Sequence, residues 1–210
     1  IFMSVSVFQW GSIILWFVMI ALILKFEKNG HHMLWTLLAI TLTFPIEALY
    51  DKCFALTYSD EFINLFPTVP LPLMIPFAYG TFYGITLLLA IWVFKKLPNV
   101  PNWLAFILMF VSMVFTNFAQ EGLTTSTNAW VYDWPNATGL FGSNQPWIVP
   151  VTVAANLPIF FFSHRFATKM SSQLGTKKEQ FFMHFGIIQF ATLIIFAIGN
   201  CILLIYGGPQ

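Results

Sequence analysis

Six apolar stretches, each of roughly 17 to 25 residues and so able to cross a ~30 Å hydrocarbon layer as a helix, fill most of this chain, at residues 7–24, 33–50, 73–94, 103–120, 147–163 and 182–206. In lipid no water is present to pair backbone N–H and C=O groups, so each stretch must satisfy them internally, which makes a helix the default. None of the six alternates strictly between apolar and polar residues, the pattern a barrel strand would show. With 58% hydrophobic and 8% charged residues the chain is too apolar for a water-soluble domain. The expectation is an all-α fold, a polytopic transmembrane helical bundle of six helices forming one domain over residues 1–210. Residues preceding Ile1 would add a signal segment or a seventh helix.

The charges orient this bundle. Lys25 and Lys28 follow the first stretch, Lys95 and Lys96 the third, and Arg165, Lys169, Lys177 and Lys178 the fifth. These gaps share one side, which the positive-inside rule makes cytoplasmic. The other side holds both termini and sets only Lys52 against Glu47, Asp51, Asp60, Glu61, Glu121 and Asp133. The chain is therefore expected to be an integral, multi-pass membrane protein with an acidic outer face; the endoplasmic reticulum and the plasma membrane are equally compatible. A net charge of +1 gives no footprint for nucleic acid.

The two outer gaps are the longest connections. Residues 54–72 carry Phe62, Ile63, Leu65 and Phe66 and then Pro67, Pro70 and Pro72, which reads as a short amphipathic or re-entrant piece at the interface. Residues 122–146 contain Trp130, Tyr132, Asp133 and Trp134, followed by Gly139, Gly142 and Pro146. That segment reads either as an aromatic belt at the headgroups or as a lid over a cavity mouth. Asn136-Ala137-Thr138 forms a glycosylation sequon on the outer side. Cys53 and Cys201 both fall near the outer surface, as a disulfide or as two buried thiols.

Inside the stretches a carboxylate costs ~2.5 to 3.5 kcal/mol at mid-membrane, so it is a functional hypothesis by default. Thr43, Glu47 and Asp51 recur every four residues on one face of the second helix, with Tyr50 beside them and Pro45 predicting a kink. Asn117 and Glu121 repeat the spacing on the fourth helix, next to Gln120. Tyr79 and Tyr83 come from the third, Asn156 from the fifth and Asn200 from the sixth. A shared cavity opening outward would collect these side chains; singly, the Asn, Gln, Thr and Tyr residues would be interhelical glue.

Several chemistries lack their residues. His31, His32, His164 and His184 sit at the cytoplasmic ends without the paired spacing of a diiron oxidase, so no metal is expected. No Ser-His-Asp order, Gly-rich phosphate loop or Cys-x-x-Cys is present, and no organic cofactor is expected. The outer face has no Arg to hold a phosphate or diphosphate. What is left is carboxylic acids among 25 Phe, 8 Trp and 6 Tyr. A buried neutral carboxylic acid donates a proton, and aromatic faces stabilise a nearby cation. Together they suit protonation of an alkene or epoxide in an isoprenoid, with a second carboxylate or a Tyr removing the proton afterwards.

The segment Phe44-Pro45-Ile46-Glu47-Ala48-Leu49-Tyr50 resembles the Trp-Glu-x-x-Tyr element that ends an early helix in the membrane-integral terpene cyclases of fungal meroterpenoid and indole-diterpene pathways. The resemblance spans about ten residues and implies a small all-helical membrane enzyme with Glu47 as the acid. Ile46 stands where that family has Trp, and only Asn200 stands near the place of its second acid in the last helix. Glu121 takes that role here on physical grounds. Membrane carotenoid hydratases and cyclases are a similar class. The expected function is acid-initiated cyclisation, hydration or isomerisation of a hydrophobic lipid-like small molecule through a carbocation, within an outward-opening intramembrane cavity. Glu47, Glu121 and Asp51 are the candidate catalytic residues; Tyr50, Tyr79, Tyr83, Asn117, Trp130, Tyr132, Asp133, Trp134, Asn156 and Asn200 are the candidate binding residues. Membrane lipid is the other expected partner. The alternatives are a transporter or ligand-binding protein using the same acidic cavity without chemistry, and a scaffold subunit of a larger complex.

Overall fold

The computed structural model describes residues 5–26, 30–134, 146 and 148–206. Glu27 and Lys28, the sequon at residues 136–138, and Gly139 and Gly142 lie outside the described residues. The chain is mostly helical: α1 (Val5–Phe26), α2 (Gly30–Thr41), α3 (Glu47–Phe54), α4 (Ile75–Lys96), α5 (Asn102–Ser126), α6 (Ile148–Ala154), α7 (Asn156–Ser171) and α8 (Lys177–Tyr206). Among the described residues five helical segments are long and apolar enough to cross a membrane: Val5–Lys25, His31–Phe54, Ile75–Lys96, Asn102–Ser126 and Lys177–Cys201. Large apolar side chains such as Ile14, Leu24, Leu89, Phe115 and Phe190 stand exposed around the perimeter, far beyond what a water-facing surface presents.

Proline explains both breaks in the helical run. Pro45 has no N–H with which to reach Thr41, so the chain tightens into a 3₁₀ turn, Phe44–Ile46, before α3 resumes. Thr43 N–H donates to the Ile40 carbonyl at 3.1 Å and Ile46 N–H to the Thr43 carbonyl at 3.0 Å. The Thr43 hydroxyl also donates back to Ile40, at 2.6 Å, so Thr43 is spent on repairing the break and does not join the acids. Pro158, in the first turn of α7, likewise sits where its missing N–H is not needed, just after the interruption at Ala155.

Four-residue spacing on α4 sets how closely the helices approach. A Cβ at Gly80 would collide with Thr41 Oγ1 and the Trp16 indole, and one at Gly84 with Met19 and Leu37. The two glycines let α1 and α2 close onto α4, and Trp16 Nε1 donates to Thr41 Oγ1 at 2.8 Å across that contact. The main core runs from here through Leu87, Met113, Phe160, Ile188 and Ile195, all buried. A second cluster lies at the end that carries most of the acids, around Phe54, Phe62, Leu71, Trp130, Tyr132 and Val149.

That end differs from the sequence reading. The 54–72 segment, for which the sequence reading named no secondary structure, forms three strands: β1 (Leu56–Tyr58), β2 (Asn64–Phe66) and β3 (Val69–Pro72). Pro67, Pro70 and Pro72 disfavour helix and hold the chain extended. β2 and β3 form a hairpin, Asn64 opposite Pro72, which places Phe62 and Leu71 in the second core. β1 pairs antiparallel with β4 (Trp130–Tyr132) of the other long gap, in the register Leu56 to Tyr132, Thr57 to Val131 and Tyr58 to Trp130. Backbone bonds from Ser59 N–H to the Ala129 carbonyl and from Asp133 N–H to the Ala55 carbonyl, both 2.9 Å, extend the ladder at each end.

Candidate functional site

The α3 acids emerge directly below this strand pair. Glu47 and Asp51, one turn apart, share a face as their spacing predicts. The Tyr58 hydroxyl, on β1, lies 3.0 Å from Glu47 Oε1 and 3.2 Å from Asp51 Oδ1. The Tyr79 hydroxyl, from α4, donates to Glu47 Oε2. A phenol has one proton and so donates to one carboxyl oxygen at a time. Both Tyr58 contacts are hydrogen bonds only when one of the two carboxyl groups is itself protonated and donates to the phenol oxygen. The trio is therefore a path along which a single proton can pass between Asp51 and Glu47.

Glu121, near the end of α5, is held separately. Its Oε2 accepts from Trp130 Nε1 at 2.9 Å and from the Tyr132 hydroxyl at 2.8 Å, both on β4. Each acid helix is thus followed by a strand carrying its phenol, and the interval from acid to phenol is 11 residues in both cases, Glu47 to Tyr58 and Glu121 to Tyr132. The connections also match: Ala55 (φ 48°) and Asn128 (φ 55°) each turn the chain through the left-handed region between helix and strand. The two helix–turn–strand segments meet through β1 and β4.

Together they enclose a chamber of about 110 Å³. Glu47, Tyr50, Asp51, Tyr79, Tyr83, Asn117, Glu121, Trp130, Tyr132 and Asn156 all line it, so the second and fourth apolar stretches do direct their acids to one place. Asn156 Nδ2 donates to the Tyr83 hydroxyl at 2.9 Å, and Asn117 Nδ2 to its own helix at the Met113 carbonyl, 3.0 Å. Both phenols outside the helical spans, Tyr58 and Tyr132, are held well above the ordinary phenol range, first by burial and then by the neighbouring carboxyl groups. They act as donors, not as phenolates.

Three expected residues fall elsewhere. Asn200 is engaged with the Cys53 thiol, which donates to its Oδ1 at 3.0 Å, and its Nδ2 donates to the Phe196 carbonyl. Trp134 Nε1 donates to the Phe54 carbonyl at 2.7 Å, satisfying an orphan group at the end of α3. Asp133 is exposed, because strand alternation turns it away from the buried Tyr132. Cys53 and Cys201 are both free thiols. Tyr58 is the residue that sequence reasoning missed; the available signal was its distance from Glu47, equal to that of Tyr132 from Glu121. Five of the six tyrosines line the chamber, so phenols gather where carboxylates need donors.

A second opening adjoins the chamber. A groove of about 370 Å³ between α1, α4 and α5 shares Met74, Ala78, Phe82, Gln120 and Trp130 with it. At the lysine-bearing end the His32 and His184 rings stack at 5.1 Å, and His164 Nδ1 lies 2.8 Å from Thr36 Oγ1. Among the described residues no three His, Cys, Asp or Glu side chains converge as metal ligands. No family model, curated protein or solved structure matches this chain.

Proposed function

We propose that this chain is an integral membrane enzyme with six crossings, the fifth formed by α6 and α7 end to end, and that it performs acid-initiated chemistry on an isoprenoid or similar hydrophobic lipid. The lysine-bearing end is cytoplasmic by the positive-inside rule, which puts the acid chamber in the outer half of the bilayer. The observation that carries this reading is the convergence of Glu47 and Glu121, from separate helices, on one chamber whose walls are otherwise phenols, indole and amides. An apolar chain enters from the lipid along the groove between α1, α4 and α5, and only its reactive end reaches the acids past Phe82 and Gln120.

Glu47 gives its proton to an alkene carbon or epoxide oxygen, leaving a carboxylate and a carbocation. Tyr58 and Tyr79 are already placed to hydrogen-bond that carboxylate, which makes proton departure easier. Aromatic faces, among them Tyr50, Tyr83 and Trp130, lie around the developing cation. Glu121 takes a proton from the adjacent carbon, or from a water that adds to the cation, and passes it to solvent, while Asp51 reloads Glu47 through Tyr58 and is itself reprotonated from solvent. This is the chemistry implied by the resemblance to membrane-integral terpene cyclases, with Glu121 in place of a last-helix acid. The test is mass spectrometry of lipids co-purified with the protein, followed by turnover of the lipid identified. A bound polyene or prenylated lipid whose conversion stops in Glu47→Gln, with the thermal transition unchanged, supports the reading. Full turnover in Glu47→Gln rejects Glu47 as the acid.

The chamber's small volume favours one other reading, a proton-coupled binding or transport protein in which the acids exchange protons without bond rearrangement. Ligand-dependent proton uptake into liposomes, with the ligand recovered unchanged, would select it.

A further inference from the structure

The opposite end of the molecule holds a cavity unrelated to the acids. It measures about 560 Å³ and lies between the end of α4, the start of α5 and the middle of α7. Its floor is apolar, made by Ile91, Phe94, Val100, Ala105 and Phe161. Lys95, Arg165, Lys169 and His164 line the same space, joined by the neutral donors Asn102 and Thr168, and no Asp or Glu is among its lining residues. Arg165 and Lys169 are four apart on α7 and so share a face, while Lys95 faces them from α4. The Arg165 guanidinium sits 5.6 Å from the Phe161 ring centroid, which leaves it at the boundary between floor and rim.

Cations around an apolar floor suit an amphiphile and not a simple anion. A free phosphate would satisfy the rim and leave the floor empty; a neutral lipid would do the reverse. We infer that this cavity binds the phosphate headgroup of an anionic phospholipid of the inner leaflet, with Arg165, Lys169 and Lys95 on the phosphate and the upper part of an acyl chain against Phe94 and Phe161. The guanidinium supplies paired donors for two phosphate oxygens, and the ammonium groups supply charge. Basic pockets between helices on the cytoplasmic side are a recurrent form of lipid recognition. The inference does not depend on the acid chamber having any catalytic role.

The test compares the full chain, a K95Q/R165Q/K169Q variant and a K177Q/K178Q control in nanodiscs of phosphatidylcholine containing a small fraction of phosphatidylglycerol. The control removes positive charge from the same end but outside the cavity. Native mass spectrometry after delipidation should find one phosphatidylglycerol retained by the wild type and the control. The triple variant should lose it with an affinity drop of about a hundredfold, and thermal melting in pure phosphatidylcholine should show all three folded alike. Equal retention by the triple variant, or equal loss by the control, would overturn the proposal, the second by reducing it to general surface attraction. Displacement of the lipid by millimolar inorganic phosphate alone would overturn the choice of a lipid.

Discussion

The two ends of this molecule handle charge in opposite ways. At one, three carboxyl groups are half-buried and each oxygen named above lies within hydrogen-bonding distance of a phenol or indole from another element. At the other, lysines and an arginine stand exposed at the rim of an open cavity. The difference lies in what each end requires of the fold. Withdrawing a carboxylate from water calls for donors at fixed positions, and hence for strands, a helix break and a second helix to supply them. Leaving a cation at the boundary calls only for a long side chain on a helix end. The acid end should therefore be sensitive to single atoms and the basic end should not.

The largest expected effect is on turnover. Glu47→Gln keeps the hydrogen-bonding shape but removes the transferable proton, and kcat should fall about 10² to 10⁴-fold on the substrate identified by co-purification. Next comes alkaline stability. The phenols of Tyr58 and Tyr132 are raised above their unfolded value of about 10, so folded protein keeps protons that unfolded chain has lost. Their contribution is complete below about pH 10 and is lost as pH rises toward the folded values, at up to about 1.4 kcal/mol per pH unit for each phenol. Melting in detergent at pH 9, 10 and 11 reads it, and Tyr58→Phe with Tyr132→Phe should flatten the decline. Smaller again is Tyr132→Phe alone, which leaves Glu121 with one of its two donors and should cost about 1–3 kcal/mol by chemical denaturation. Arg165→Gln, at the other end, should change stability by no more than about 0.5 kcal/mol in the same assay. Equal losses at the two ends would break the contrast.

Much of this was legible in the chain itself. The apolar stretches mark the long helices because their length and lack of charge are local properties, and Pro45 marks the break because a missing N–H is local too. The chamber's helical residues could be named because a buried acid or amide is costly wherever it falls. The strand pairing could not. β1 and β4 are three residues each, too short for alternation to register, and their partnership joins two gaps that nothing in the local pattern connects. Tyr58 was lost with them. Asn200 was misplaced because depth along a helix predicts the layer a side chain occupies but not its direction around the axis.

The recurrence of an acid, a left-handed turn and a phenol 11 residues later has a consequence for biosynthesis. As the nascent chain emerges, Glu47 and Glu121 each meet a hydroxyl encoded a few codons downstream, before any far-off segment has been made. Docking of β1 against β4 then joins two acids that each have a hydrogen-bonding tyrosine on the following strand. Each acid thus has one of its donors close in sequence, so that contact needs only a short loop to close.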